Sequence, residues 1–367
     1  MTTKGTFNCT FDYPGKWTES EVLEWNAKGR FSSEPSVNSF YYGDNFPILQ
    51  LLRKYFSAQI DLIYIDPPFG TGRRFANIGQ EVAYSDELIE HQFIEFLRRR
   101  LIAMRELLSE QGSIYLHIDK KIGHYVKIIM DEVFGAENFL NDISRIKCNP
   151  KNFDRKAFGN YSDMILFYAK NRDKHIWNEI RQPLTPEEIA KLFPKSHPEH
   201  GPYTTHPLHA PGETVDGDTG KMWKNLMPPK GRHWRYGRKV LDQLDADGWV
   251  EWSDTGNPRK RVFAKDHKGK KVQDVWEMKD KGLSYVSYPT EKNRDLLQRV
   301  ILHSSNENGI VLDAFAGSGG TLISAHELGR RWIGIDQSEK AQEVISMNFE
   351  KAGIPFSQID YLEDQKR

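Results

Sequence analysis

The sequence is poor in the features that mark secreted, membrane-spanning and zinc-binding proteins. Its two cysteines, Cys9 and Cys148, are far apart and match no zinc-ligand spacing. In a chain of 367 residues they form no disulfide framework, which favours free thiols in a reducing compartment. No run approaches the ~20 apolar residues of a membrane span, and residues 1–10 lack the apolar segment of a secretory signal. We therefore expect a cytoplasmic protein with no membrane segment and no metal.

Short apolar runs alternate with helical patterns on both sides of a middle region. The patterns predict strands at 61–65, 113–118, 163–169, 309–313 and 331–336, and helices at 86–110, 125–134, 293–303, 319–329 and 339–351. Alternation of this kind is typical of an α/β fold with a parallel, doubly wound sheet.

The middle region, residues 171–280, differs from its flanks in composition and periodicity. Proline and glycine are frequent there, tryptophans cluster, and strong helical periodicity is absent. Since predicted strands lie on both sides of it, the simplest arrangement is one sheet built from both ends of the chain, with the middle inserted. This divides the chain into an N-terminal extension (1–37), a first α/β half (38–170), the insertion and a second α/β half (281–367).

A glycine-rich loop follows the predicted strand at 309–313 and opens the next helix. Glycines at such a turn let a ligand approach bare backbone amides. Asp336 ends the next predicted strand, 23 positions after Asp313, at an offset typical of a carboxylate that binds ribose hydroxyls. A dinucleotide-binding loop would have glycine in place of Leu322, and a P-loop would have lysine after Gly320. An ordinary turn between strand and helix is the alternative. The candidate ligand-binding residues here are Asp313, Phe315, Gly317, Gly319, Thr321 and Asp336.

A second candidate site is Asp66-Pro67-Pro68-Phe69, directly after the predicted strand at 61–65. The prolines fix the backbone and remove two donors, which leaves carbonyl groups as acceptors in defined directions. A carboxylate, a rigid carbonyl and an aromatic ring together suit a planar group that bears an amine. A proline-terminated strand with a solvated aspartate is the alternative.

Together the two motifs resemble the amino-methyltransferases of DNA. That family has an Asp-Pro-Pro-Tyr/Phe catalytic motif and a Phe-x-Gly-x-Gly cofactor motif, which correspond here to Asp66–Phe69 and Phe315–Gly319. Their order is similar to that of the permuted β group, and the likeness covers roughly residues 38–170 and 275–350. The resemblance implies a Rossmann-like methyltransferase sheet with circularly permuted motif order. It also implies an inserted target-recognition region and S-adenosylmethionine as the cofactor.

The resemblance assigns further cofactor contacts. The segment before the glycine loop is similar to one that helps hold the methionine end of the cofactor, which implies contacts from Thr290 and Lys292. Asp44, in a Gly-Asp-Asn turn, corresponds to a residue beside the cofactor, although a plain Asx turn is an open alternative. Asp336 would bind the ribose.

The resemblance also implies a mechanism. Asp66 and the Pro67 carbonyl would accept hydrogen bonds from the target amine, while Phe69 stacks on the base. The base would have to be flipped out of a DNA duplex to reach them. The family's cytosine enzymes usually have serine in place of Asp66, which favours adenine N6 as the target.

Positive charge is concentrated in the insertion, although the chain holds 51 basic and 51 acidic residues. Residues 221–239 contain no acidic residue, and 257–271 contain one, while Trp223, Trp234 and Tyr236 lie among the basic residues of the first segment. Contact with DNA phosphates is the functional interpretation of these basic segments. A solvated basic face with no binding role is the alternative. The candidate DNA-binding residues are Lys224, Lys230, Arg232, Arg235, Arg238, Arg259 and Arg261.

Three alternatives remain at this stage. The first is an enzyme that methylates cytosine N4 or RNA, and the second is a non-catalytic, methyltransferase-like subunit that only binds DNA. A dehydrogenase is the third, disfavoured by Leu322. Double-stranded DNA is the expected partner, while a homodimer and a restriction-modification or defence-system partner are left open.

Overall fold

The structure is a computed structural model that describes residues 10–68, 86–150, 154, 156–279 and 293–364, with side chains from residue 91 onward in the second range. The predicted contacts Phe69, Thr290 and Lys292 lie outside the described residues.

The chain forms two compact units. Met1–Ile180 and Gln273–Arg367 make up the large unit, and Arg181–Val272 make up the small unit. The small unit lies within the insertion predicted at 171–280 and has narrower bounds. Strand Val275–Glu277 lies inside the predicted insertion but pairs with a strand of the large sheet.

The described strands and helices alternate through most of the large unit. The strands are β1 (Gly29–Phe31), β2 (Ser39–Tyr42), β3 (Ile60–Ile65), β4 (Leu108–Ile118), β5 (Phe139–Ile146), β6 (Ser162–Ala169), β7 (Arg181–Gln182), β8 (Lys195–His197), β9 (Gly201–Pro207), β10 (His209–Pro211), β11 (Arg232–Trp234), β12 (Val250–Trp252), β13 (Pro258–Phe263), β14 (Lys270–Lys271), β15 (Val275–Glu277), β16 (Ile310–Asp313), β17 (Arg331–Asp336) and β18 (Ser357–Glu363). The α-helices are α1 (Glu19–Glu24), α2 (Asn45–Phe56), α3 (Asp86–Leu107), α4 (Lys120–Phe134), α5 (Pro186–Leu192), α6 (Arg238–Ala246), α7 (Arg294–Ser304), α8 (Gly320–Glu327) and α9 (Glu339–Ala352).

The large unit is built on a ten-stranded sheet in the order β1-β18-β2-β17-β16-β3-β4-β6-β5-β15. The strands from β18 to β4 run parallel to one another, which confirms the predicted doubly wound α/β fold. The prediction of a wholly parallel sheet was wrong, because β1 and β6 run antiparallel to their neighbours. No helix is described between β5 and β6, and a connection without a crossover helix returns the chain in the opposite direction.

The winding of the sheet reverses between two neighbouring strands. From β16 the chain passes through α8 to β17 on one side, and from β3 it passes through α3 to β4 on the other. The carboxyl ends of β16 and β3 therefore flank a topological switch point, the position at which ligands bind in open α/β sheets.

Apolar side chains cover the sheet on both faces. One core joins Ile63 of β3 and Ile335 of β17 to the apolar faces of α2, α3 and α4. On the opposite face, Phe349 of α9 contacts Trp332 of β17 with ring centres 5.0 Å apart. Within the predicted N-terminal extension, 1–37, Val22 of α1 is fully buried in the first core and β1 pairs with β18.

The small unit has a core of its own. Its main sheet has the order β12-β13-β9-β8, and Leu208, Trp223, Trp234, Leu241 and Val250 form a separate apolar cluster. The sequence did not predict its two helices, α5 and α6. Both are short, and α6 buries only Leu241, so neither produces a long periodic pattern. Within the described part of the chain, no helix is long and apolar enough to cross a membrane.

Candidate active site

Four neighbouring parallel strands, β2, β17, β16 and β3, end at the same edge of the sheet. Asp336 and Asp313 are the last residues of β17 and β16, Asp66 follows β3, and the turn that contains Asp44 follows β2. The ladder pairs Tyr42 with Asp336 at this edge. Candidate residues from both ends of the chain are thereby brought together at the switch point.

The glycine loop is fixed by hydrogen bonds to its flanking carboxylates. The Phe315 N–H donates to Asp313 Oδ1 at 3.0 Å, and the Gly317 N–H donates to Asp336 Oδ2 at 2.9 Å. Gly319 is the N-cap of α8 with φ of 79°, and a Cβ there would lie 3.1 Å from Ile345. Glycine is therefore required at this position by both its backbone conformation and its surroundings.

Asp336 lies at the end of β17 with both carboxylate oxygens bonded to backbone N–H groups. Besides the bond from Gly317, Oδ1 accepts one from Ser338 at 2.9 Å. Burial raises the pKa of Asp336, although these N–H donors oppose the shift. The carboxylate is rigidly oriented at the edge of the sheet, which is the placement that a ribose ligand requires.

Asp313 is buried between the other two carboxylates. Burial raises its pKa to about 7, the charges of Asp66 and Asp336 add to the rise, and hydrogen bonds from Thr321 and Phe315 oppose it. Three carboxylates close enough to repel one another create a negative potential at the switch point. Such a site favours a cationic ligand.

The second motif lies on the other side of the switch point. Asp66 is half-buried, Pro67 is buried and Pro68 is half-buried at the carboxyl end of β3. The two prolines have no N–H groups, so the backbone offers only carbonyl acceptors beside the Asp66 carboxylate. This arrangement can accept hydrogen bonds from an amine.

Asp44 lies at the carboxyl edge of the sheet, after β2, and is also the N-cap of α2. Its carboxylate accepts a bond from the Phe46 N–H at 2.9 Å and forms an ion pair of 2.7 Å with Arg100 of α3. The Asx turn that the sequence allowed is present at the start of α2. A second partner, which the sequence did not predict, ties this turn to α3.

Arg100 and Asn45 are further residues of the site that sequence reasoning missed. The Arg100 guanidinium donates to the side-chain carbonyl of Asn45 and to the backbone carbonyl of Phe96, and it stacks 3.5 Å from the Phe96 ring centre. The Asn45 amide in turn donates to the carbonyl of Ala314, inside the glycine loop, at 2.6 Å. The buried Asn45 side chain therefore links the turn after β2 to the loop after β16. The signal available in the sequence was an arginine, Arg100, within an otherwise apolar stripe of the predicted helix.

The candidate DNA-binding residues of the small unit fall into two groups. Three are engaged within the unit: Lys224 with Asp245, Arg261 with Glu251, and Arg259 with Thr205. The other four, Lys230, Arg232, Arg235 and Arg238, are exposed.

The two tryptophans among these basic side chains are not surface residues. Trp223 and Trp234 are almost completely buried in the small unit's apolar cluster. The sequence pattern placed aromatic and basic residues side by side, whereas the fold separates the two tryptophans from the surface. Among the described residues, no group of three or more His, Cys, Asp or Glu could hold a metal ion.

Residues 60–347 match the family of N6 and N4 methyltransferases described as DNA methylase. The type II methyltransferase M.EcaI of Enterobacter cloacae is 40% identical over 96% of this chain and 80% of its own length. The Mod subunit of the type III restriction-modification enzyme StyLTI of Salmonella typhimurium is 28% identical over 78% of this chain, which spans about half of that protein, 49%. Among solved structures, the cytosine-N4-specific PvuII DNA methyltransferase has a TM-score of 0.52 at 13% identity, covering 87% of this chain and 90% of its own.

The chain belongs to the DNA methylase family. It is a DNA methyltransferase with the Rossmann-like fold that the two motifs predicted, which confirms the resemblance at the level of family and enzyme class. The permuted order of the motifs and the individual site residues stay predictions.

Proposed function

We propose that this enzyme transfers a methyl group from S-adenosylmethionine to the N6 amine of adenine in double-stranded DNA. The observation that carries the proposal is the convergence of Asp66, Asp313 and Asp336 with a glycine loop at the switch point of the sheet. A DNA methylase needs a cofactor site and an amine site side by side, and this edge offers residues suited to both.

The residues at the edge fit S-adenosylmethionine. The cofactor carries positive charge on its sulfonium and its α-ammonium group. The pKa of Asp313 is raised mainly by burial and further by the charges of Asp66 and Asp336, and a bound cation would offset that repulsion. Asp336 would accept hydrogen bonds from the ribose hydroxyls, and the loop from Asp313 to Gly319 would border the methionine part. When bound, the cofactor supplies a methyl group already activated by the sulfonium.

Asp66 and Pro67 are proposed to orient the target amine. An exocyclic amine conjugated to its ring is a poor nucleophile, and hydrogen bonds from its two hydrogens to the Asp66 carboxylate and the Pro67 carbonyl would localise its lone pair. Asp66 would also stabilise the positive charge that develops on nitrogen. Phe69 is proposed, from the resemblance alone, to stack on the flipped base.

The preference for adenine is the finer part of the proposal. It is supported by the carboxylate at position 66, where the family's cytosine enzymes usually have serine. Both kinds of target present a planar, conjugated amine, so the same edge of the sheet could serve either. The small unit is proposed as the target-recognition region, because it carries the exposed basic residues.

The cellular context is also proposed from the relatives. M.EcaI is named as a type II methyltransferase and the StyLTI protein as a subunit of a restriction-modification enzyme. We infer a restriction-modification role for this chain in the bacterial cytoplasm, with a nuclease partner. A second copy of the chain as a partner stays a prediction.

The test uses the full chain, labelled S-adenosylmethionine and plasmid DNA from a host that lacks DNA methyltransferases. Mass spectrometry of the digested nucleosides is expected to detect N6-methyladenosine. Methylated cytidine without methyladenosine would overturn the choice of adenine and leave the enzyme class intact. Label in neither nucleoside would favour the non-catalytic subunit.

A further inference from the structure

A concave pocket of about 220 Å³ lies on the small unit. Its lining includes His206 and Pro207 of β9, Arg235 and Tyr236 after β11, and Lys260 and Val262 of β13. The pocket therefore combines basic groups with an aromatic wall.

Strand pairing brings two basic side chains to the same face of the sheet. Lys260 and His206 are directly opposite each other in the antiparallel ladder of β13 and β9, so both side chains project from one face. The ammonium group of Lys260 donates to the Tyr236 hydroxyl at 3.3 Å and lies 5.1 Å from the ring centre. Tyr236 therefore holds this ammonium group at the pocket.

More positive charge gathers around the pocket. Arg235 donates to the Pro207 carbonyl at 3.1 Å, and Arg232 lies 3.1 Å from the ring nitrogen Nδ1 of His209. The pKa of His209 is lowered by burial and then by Arg232, Arg235 and Arg259, so three guanidinium groups act on one imidazole. None of the described residues that line the pocket is acidic. Repulsion among like charges this close is relieved by a bound polyanion.

Several other basic residues of the small unit already have acidic partners. Lys224 forms an ion pair with Asp245, and Glu251 pairs with both Lys195 and Arg261. Binding DNA at these residues would break existing ion pairs, whereas binding at the pocket would not.

We propose that the pocket binds a phosphate of the DNA backbone, with Lys260 and Arg235 as its cationic donors. The proposal rests on the proposed function, since it takes DNA as the substrate. A phosphate fits better than a base edge, because the pocket offers several cationic donors and no carboxylate or amide side chain.

The test measures the affinity of the full chain for two short duplexes of unrelated sequence at several salt concentrations. The variants are Lys260→Met and Arg235→Gln, and the matched control is Lys195→Met, which removes an equal charge that is paired with Glu251 within the unit. Tyr236→Phe keeps the ring and removes the hydroxyl that contacts Lys260. Thermal melting and S-adenosylmethionine binding confirm that each variant is folded.

We expect both pocket variants to raise the Kd for either duplex equally, by roughly three- to tenfold, and to reduce the salt slope by about 0.9. Tyr236→Phe should have a smaller effect in the same direction, and Lys195→Met should behave as wild type. Wild-type affinity and slope in Lys260→Met would overturn the phosphate site, as would an effect on only one duplex, which indicates base reading. Methyl transfer by the wild-type chain, measured in parallel, separates these outcomes from failure of the proposed function.

Discussion

The two units of this protein use charge in opposite ways. Residues 181–272 hold seventeen basic and twelve acidic side chains, and since the whole chain holds 51 of each, the large unit holds thirty-four and thirty-nine. In the large unit, Asp313 and Asp336 at the switch point are bonded to backbone N–H groups, and Asp313 is buried. In the small unit, the exposed basic groups lie around a pocket.

This difference indicates that the two units bind ligands of opposite charge, which the neutral charge of the whole chain does not show. A buried carboxylate beside a loop can bind a small cationic ligand with defined geometry, while an exposed cluster of cations attracts a polyanion with little geometric demand. Variants in one unit should therefore leave the other unit's ligand unaffected, which binding of both S-adenosylmethionine and duplex DNA to Asp66→Ala would test.

Asp66→Ala should have the largest effect. We expect at least a ~100-fold loss of methyl transfer, because the variant removes the main acceptor for the target amine. Binding of S-adenosylmethionine and of duplex DNA should stay close to wild type, measured by calorimetry and by fluorescence anisotropy. Turnover near that of wild type would contradict the role of Asp66.

Asp336→Ala should have the second largest effect, and we expect it to weaken the binding of S-adenosylmethionine alone. Loss of the proposed ribose contacts should cost about 1–3 kcal/mol of S-adenosylmethionine binding free energy. Asp360→Ala is the matched control, since this carboxylate lies on β18, two strands away, and contacts Gln358. Equal calorimetric affinities for Asp336→Ala and wild type would rule out the ribose assignment.

Arg100→Lys tests whether Arg100 positions the glycine loop through Asp44 and Asn45. The lysine keeps the charge and loses the planar group that bonds Asp44 and Asn45 together, so the glycine loop should be held less firmly. We expect the KM for S-adenosylmethionine to rise by roughly three- to tenfold, about 1 kcal/mol, with kcat nearly unchanged.

Arg99→Lys is the control for this experiment, because the neighbouring Arg99 pairs with Glu95, away from the loop. A fall in kcat without a change in KM, or equal effects in the two variants, would refute the positioning role of Arg100.

Asp313→Asn should change how stability depends on pH. The folded-state pKa of Asp313, about 7, exceeds the ordinary value, so the folded protein without cofactor binds this proton more tightly than the unfolded chain. The stabilisation is fully present below about pH 4 and is lost as the pH rises through about 7.

In the asparagine variant this loss is absent, so its melting temperature should exceed that of wild type increasingly from pH 5 to pH 8. Since the pKa of Asp313 rises from an ordinary value of about 4 to about 7, the difference in stability should reach on the order of 4 kcal/mol. Melting curves that shift in parallel with pH would show that Asp313 does not titrate in this range.

Much of the large unit could be predicted from the sequence because its signals are local. Buried strands such as 331–336 are apolar runs, and the two motifs directly follow strands, so the doubly wound fold and both candidate sites could be predicted together. The small unit gave weaker signals, since α5 and α6 are short and β7 and β14 have two residues each.

The basic residues of the small unit show where sequence reasoning stopped. Lys224 and Arg235 lie in the same basic segment, yet one pairs with Asp245 and the other lines a pocket. Such partners come from residues distant in sequence, so composition alone treats the two side chains as equal.

By itself, the sequence determined the class of enzyme, the alternation of strands and helices, and the identity of the two motifs, because each depends on neighbouring residues. Only the tertiary structure decided that Asp66 and Asp313 flank one switch point, since their strands are adjacent in the sheet but far apart in the chain. It also decided that Arg100 ties the turn at Asp44 to α3, and that Asn45 links this turn to the glycine loop. Burial in a folded core brings these groups within hydrogen-bonding distance, and no local pattern encodes that proximity.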